Sequence, residues 1–442
     1  MSAVPPSNPP IRFREEIPPP IPPPSKRARG LTRSMQRWKV LIEKAITLTD
    51  RIFPYIESQG YRSTNLYRPN LLGTGSYSGV YKFRLIETGE DVAIKISHLP
   101  EDEDDNVYES SCKEAHILEL LTKAKAPNII KRIHSFSIPY DFFVNSQTAF
   151  IAPPIKPFID SLHCLVLPNF PHTIKDVVIK SFEDEESLTA ESFSRLNHYA
   201  AGTLNALDAQ VEHRIVNGDV KAENILVSKT GKVFLADYGI AYSISPHHVR
   251  SPIAKKTVYI PQTLWYRAPE VAFGYMDTGC PMDMWSYGCL LWEMATGSPL
   301  FPSKDEYDHS IRLMTFFYPF PEDFSTYAPL APYFGFYPDR SFPHIKSLRS
   351  LLILHLLKHH KLPEKCTDAV LREEDLFLSK VKELPTDERC VEMFEKMFSK
   401  LVSEEWEIFS PLLLQHHTIP FLKSYNNLID LLERIFVYNP HK

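Results

Sequence analysis

With 442 residues, 43% of them hydrophobic and 23% charged, the chain can bury a sizeable core with extensions and has the balance of an ordinary globular protein. A formal net charge of -5 argues against a general polyanion binder, so no nucleic acid is expected among its partners. No apolar run reaches the roughly 18 residues that span a bilayer and the N-terminus lacks a signal-peptide pattern, so no membrane is expected and the protein is placed in the nucleus or cytoplasm.

Residues 1–30 carry the run Pro18 to Pro24, interrupted only at Ile21, and read as a disordered tail of polyproline II character that could dock on an aromatic-lined groove. Lys26, Arg27 and Arg29 form a short basic patch, equally readable as part of a nuclear signal or as a solvated surface. Residues 31–67 form an N-terminal extension that is helical to about Ser58. Met35, Trp38, Leu41, Ile42, Ala45 and Ile46 fall on one face, which is expected to pack on the folded domain. Cys112, Cys164, Cys280, Cys289, Cys366 and Cys390 show no paired spacing, which favours reduced thiols over disulfides or zinc.

A folded domain is expected to open at about residue 68. It opens with Gly73-Thr74-Gly75 before an alternating strand, where backbone N–H groups can close over phosphates that a side chain would obstruct. Lys95 then stands inside the apolar strand Val92-Ala93-Ile94, a costly place for a cation without a partner. The helix around Cys112 to Leu121 supplies Glu114 on the face that also carries Ile117, Leu118 and Leu121. The acidic run Glu101 to Asp105 between them reads as a solvated loop, and Leu162 to Leu167 as a buried strand.

A helix from about Ala190 to Glu212 leads into Gly218-Asp219-Val220-Lys221-Ala222-Glu223-Asn224. The apolar runs Ile225-Leu226-Val227 and Val233-Phe234-Leu235 should pair as a ribbon turning at Lys229 to Lys232. Such a ribbon brings Asp219, Asn224 and Asp237 to one end, where hard oxygen ligands can hold magnesium against a nucleotide's phosphates.

The ordered motifs D-x-K-x-x-N, Asp237-Tyr238-Gly239, the glycine turn, Val92-Ala93-Ile94-Lys95 and Thr263 to Glu270 resemble those of eukaryotic protein kinases. The segment Thr263-Leu264-Trp265-Tyr266-Arg267-Ala268-Pro269-Glu270 is similar to that of the cyclin-dependent and mitogen-activated group. The resemblance covers roughly 68–317 and 425–442, and implies an α+β fold of two lobes, a small β-rich upper one over 68–170 and a larger helical lower one over 171–442. It implies an ATP-dependent kinase, with Mg2+, acting on serine or threonine of a protein substrate. Asp219 would then accept the hydroxyl proton, Lys221 would neutralise the transferring phosphoryl group, and Thr263 would bridge the two. Asn224 and Asp237 would hold the metal. Gly73, Gly75, Val80, Ala93, Lys95, Glu114, Phe170 and Leu226 would form the nucleotide site, with Leu167 behind the adenine.

The chain departs from the family at several points. Ser78 stands where a third glycine is usual, and Asn217-Gly218 stand where His-Arg precede the aspartate. The missing histidine should weaken a packing column, and the missing arginine should weaken control by an activation-segment phosphate, which makes Thr257-Val258-Tyr259 a poor switch. Asp283 is expected to bond the backbone around Gly218, and Glu270 needs a substitute cation such as Arg434 or Lys442, or else the lower lobe is less stable. A long helical insert at about 318–424 falls outside the likeness, and it and the proline-rich tail are the segments where a further partner could bind. The rival reading is a pseudokinase scaffold that binds partners without catalysis. A small-molecule kinase is disfavoured, because such enzymes lack a segment like Thr263 to Glu270.

Overall fold

The computed structural model describes residues 52–64, 70–75, 78–97, 107–139, 161–179, 190–244, 262–275, 279–317, 427–428 and 430–436. The proline-rich tail, the extension up to residue 51, the acidic run 101–105, Thr257-Val258-Tyr259 and the 318–424 insert lie outside these residues.

Six strands form the upper sheet: β1 (Tyr61–Ser63), β2 (Asn70–Thr74), β3 (Ser78–Leu85), β4 (Asp91–Ser97), β5 (His134–Pro139) and β6 (Ser161–Pro168). The order is β1-β3-β4-β6-β5, and β2 also pairs with β3. Strand β3 is shared lengthwise, its first half pairing with β2 and its second half, Phe83 to Leu85, with β1. Period-two alternation divides the two faces. Val92, Ile94, Ile96, Leu162, Cys164 and Val166 point outward, where Ile52 and Ile56 of α1 (Ile52–Ser58) cover them. Residues 52–58 of the extension therefore pack on the sheet, and β1, ahead of residue 68, is built into the sheet edge.

The inner face carries Ala93, Leu165 and Leu167 and packs on Ala115, Ile117, Leu118 and Leu121 of α2 (Val107–Lys123). The same apolar body continues into the lower lobe, where α3 (Ala190–Glu212) meets α5 (Cys280–Thr296). Helix α5 is buried on nearly every side, as an apolar helix in a lobe centre should be. Residues 430–435 are helical and lean on it so closely that a Cβ on Gly288 would lie 2.8 Å from Phe436 Cε1. The ring of Phe436 meets Trp285 edge-on at 4.7 Å.

The expected ribbon is present. Strands β9 (Ile225–Val227) and β10 (Val233–Leu235) pair antiparallel, with Leu235 opposite Ile225, and β7 (His172–Thr173) adds to β9. A short pair, β8 (Ile215–Val216) with β11 (Tyr242–Ser243), brackets the loop from 217 to 224. Helices α4 (Pro269–Ala272) and α6 (Glu306–Phe317) complete the described lower lobe. Among the described residues no helix is long and apolar enough to cross a membrane, and Cys112, Cys164, Cys280 and Cys289 are free thiols.

Candidate active site

Lys95 projects from β4 on the inner face, and its ammonium lies 2.8 Å from Glu114 Oε2 and 2.7 Å from Asp237 Oδ1. The Lys95 and Glu114 side chains are 12% and 2% exposed, whereas that of Asp237 is 41% exposed and forms the open corner of the triangle. Burial pushes the Lys95 ammonium down, but the carboxylates of Asp237 and Glu114 reverse this and leave its pKa raised. Burial acts upward on Asp237 as well, and Lys95 overrides it to hold that carboxyl below its usual range. Glu114 is pushed up by burial against the pull of Lys95. The backbone of Asp237 is left-handed at φ 58°, a conformation aspartate tolerates better than most residues. Its Oδ1 accepts Gly239 N–H at 3.3 Å, while Tyr238 N–H donates to Glu114 Oε1 at 3.1 Å.

The loop ahead of the ribbon hangs from α5. Asp283, 2% exposed, accepts Asn217 N–H at 2.7 Å, Gly218 N–H at 2.8 Å and Gln210 Nε2–H at 2.8 Å. Burial pushes its carboxyl up to about 6 against those three donors. Gly218 takes φ 80°, a value glycine reaches without strain. At position 217 the structure replaces the expected loss of packing with a polar bridge. Fully buried Asn217 donates its Nδ2–H to Asp237 O at 3.0 Å and accepts Asp219 N–H at 2.9 Å.

Asp219 lies at the centre of a second cluster. Its Oδ1 accepts the Thr263 hydroxyl at 2.6 Å and its Oδ2 accepts Lys221 Nζ–H at 2.7 Å. Lys221 also donates to Thr263 Oγ1 at 3.0 Å, and Asn224 Nδ2 donates to Asp219 O at 2.8 Å and Oδ2 at 3.1 Å. The ribbon joins the clusters, because Ala236 N–H donates to Asn224 O at 2.9 Å. Among the described residues no group of three or more His, Cys, Asp or Glu is arranged to hold a metal ion, so a cation here would rest on one or two carboxylates with other oxygen ligands.

Above these clusters the structure brings the apolar residues together. Val80 pairs with Lys95 and Ala93 with Leu167, and Val80, Phe170 and Leu226 pack on the core that contains Ala93 and Leu167. Gly73 faces Val80 just past a register break in an exposed strand, and Gly75 N–H donates to Ser78 O at 2.8 Å. Ser78 itself is buried in β3 opposite Ser97.

The segment from Gln262 to Glu270 is clamped to α5. Gln262 donates to Met282 O at 2.8 Å and Ser286 Oγ at 2.7 Å and accepts Ala268 N–H at 2.9 Å. Tyr266 donates to Glu293, and Trp265 Nε1–H to Ser303 O at 2.8 Å. Glu270 is buried, and burial pushes its carboxyl up to about 7. Arg434 borders the same cavity of about 750 Å³, yet among the described residues no ion pair forms with Glu270, so Arg434 is not the substitute expected from the sequence. Lys442 lies outside the described residues.

Three anchoring residues were not singled out by sequence reasoning as such. Asn217 and Gln210 are two of them; the third is the hydroxyl of Tyr238, buried and donating to Gln210 Oε1 at 3.3 Å. The signal was available, since a tyrosine in a position suited to phenylalanine carries a hydroxyl that must find a partner when buried.

Comparisons with known proteins agree with this geometry. The family model described as Protein kinase domain matches residues 67–442. Cyclin-dependent kinase-like 2 of Pongo abelii is 31% identical over 244 residues, which are 55% of this chain and 42% of that protein. The protein of that name from Oryctolagus cuniculus is 30% identical over 244 residues, 55% of this chain and 37% of its own length. That from Rattus norvegicus is 31% identical over 245 residues, 55% and 41% respectively. The match thus spans less than half the length of these relatives. The chain belongs to the eukaryotic protein kinase family, close to the cyclin-dependent kinase group.

Proposed function

We propose that the chain is an ATP-dependent kinase that phosphorylates serine or threonine in protein substrates. The observation that carries this reading is the joining of two clusters by one buried side chain. Asp219, Lys221 and Thr263 stand within 2.6 to 3.0 Å of one another, and Asn217 connects them to Asp237 of the Lys95 triangle.

In this reading Lys95, held by Glu114, neutralises the inner phosphates, and the Gly73 and Gly75 backbone closes over them. Val80, Ala93, Phe170 and Leu226 take the adenine. Asp219 orients the incoming hydroxyl and accepts its proton, and Lys221 offsets charge on the transferring phosphoryl group. Thr263 keeps the two aligned, and the Lys221–Thr263 pairing favours aliphatic hydroxyls. The Lys95 triangle fits a magnesium ion, because one ammonium between two carboxylates leaves a net negative charge. The exposed side of Asp237 and the amide oxygen of Asn224, whose nitrogen is engaged on Asp219, are hard ligands of the kind that ion prefers. When bound, Mg2+ supplies charge neutralisation on the phosphates. The proline-rich tail and the 318–424 insert are the segments suited to recruiting a partner.

The test is transfer from labelled ATP, with magnesium, to a degenerate peptide library by the purified full chain. Phosphoserine and phosphothreonine should appear, and Asp219→Asn should reduce them by about 10²- to 10⁴-fold. Equal transfer by that variant would overturn the reading. Nucleotide binding without transfer in the wild type would support the scaffold reading that Gly218, in place of an arginine, brings to mind.

A further inference from the structure

Three polar side chains lie inside the upper lobe on the face that carries Lys95, and the site described above uses none of them. Ser97 of β4, His163 of β6 and Ser111 of α2 are 5%, 5% and 8% exposed. Ser97 is two residues beyond Lys95 and so shares its face, and Ser111 stands about one turn before Glu114 on the same side of α2.

The hydrogen bonds among them run across all three elements. The β4–β6 register ends with Ile96 opposite Cys164. One position on, His163 N–H donates to Ser97 Oγ at 3.0 Å, so a side chain extends the ladder by one rung. The imidazole Nδ1 of His163 meets Ser111 Oγ at 2.7 Å. Burial, with Arg132 as the charged group facing it, holds the histidine down at about 4 and leaves the ring neutral at working pH. Arg132 grips the far half of α2, donating to Ala115 O at 3.3 Å and pairing with Glu119 at 3.1 Å. Apart from the contacts of Arg132 and of Glu114 itself, the packing of α2 described above is apolar and imposes little direction, whereas a hydrogen bond fixes an angle as well as a distance.

We propose that Ser97, His163 and Ser111 form a positioning strut that sets the rotation of α2 on the sheet, keeping Glu114 on Lys95 and thereby setting the affinity for nucleotide phosphates. This rests on the kinase reading for its consequence, though not for its geometry. Rotation of α2 without the strut would leave Lys95 paired to Asp237 alone.

The test uses the full chain with Ser111→Ala, Ser111→Cys and His163→Leu, each also in a Glu114→Gln background. Amide hydrogen exchange of residues 110–118, read without nucleotide, should speed up by about 3- to 10-fold in Ser111→Ala and His163→Leu, the range one buried hydrogen bond supplies. Unchanged exchange overturns the strut whatever the activity. The KM for ATP should rise by a similar factor with kcat moving less, and Ser111→Cys, a weaker donor of nearly equal size, should fall between. In the Glu114→Gln background the Ser111→Ala effect on KM should vanish. Full additivity there, or a lowered Tm with KM unchanged, reduces the three residues to ordinary packing and overturns the proposal. Absence of transfer in the wild type would count against the kinase reading alone, since the exchange experiment is independent of it.

Discussion

Asp219 sits on a loop whose backbone is held by one buried carboxylate of the neighbouring helix, Asp283, at 2.7 and 2.8 Å. Lys95 sits on a strand and is held by side chains from α2 and from the turn at Asp237. The first arrangement is settled inside the α3–α5 core and stands whether or not the upper lobe shifts. The second exists only while three separate elements keep their mutual setting. The difference teaches that the Asp219 half of the site is preformed, while the Lys95 half depends on where α2 stands.

The largest effect that could break this comparison is chemical. Asp237→Asn should cut phosphoryl transfer as severely as Asp219→Asn, by about 10²- to 10⁴-fold in a peptide assay, because both halves are needed in the transition state. Next comes anchoring. Asp283→Ala leaves three buried donors without an acceptor and should lower unfolding free energy by about 3 kcal/mol or more in urea titration. Lys95→Ala should instead show its main effect as nucleotide affinity weakened by about 10-fold or more in direct titration, and Asp219→Asn should leave that affinity nearly unchanged. If Lys95→Ala and Asp283→Ala both cost mainly folding, the distinction between a preformed and a tunable half is lost.

A pH experiment sharpens the comparison on the lower lobe. Glu270 and Asp283 have folded-state pKa values raised to about 7 and about 6 by burial. A carboxyl raised in this way favours the folded state while protonated, so its contribution is complete below the unfolded value near 4 and is lost as pH rises through 6 to 7. Stability should therefore decline between about pH 4 and 7 through these two groups. Glu270→Gln should remove its share and raise stability at pH 8 by up to about 3 kcal/mol. The smallest effect is expected at Gly218, where an added Cβ would lie 3.4 Å from Ile240 Cδ1 and from Met282 Cε at φ 80°. Gly218→Ala should cost about 1 to 2 kcal/mol by denaturant titration.

The parts of the site readable from sequence were those whose spacing is local. Asp219, Lys221 and Asn224 lie within one short loop, the ribbon delivers Asp237 beside them, and an alternating strand with a lone lysine demanded a carboxylate that α2 supplies. Asn217 was noticed only as a lost histidine, because its two hydrogen bonds depend on where the ribbon returns the chain. Gln210 reads as one polar residue on a long helix until Asp283 and Tyr238 are seen to converge on it from 73 and 28 residues away. Strand β1 has three residues, too few for a period, and is defined by the free edge of β3. The lack of an ion pair at Glu270 among the described residues is likewise a matter of what packs beside it rather than of its own motif.

The phenol of Tyr238 has a consequence for how the neighbouring acid behaves. To swing that ring out of its slot the molecule must surrender a hydrogen bond to α3, one residue from Asp237. A plain phenyl ring would resist only through its apolar contacts. The extra oxygen thus ties the residue beside Asp237 to the helical side of the cleft, whatever is bound there.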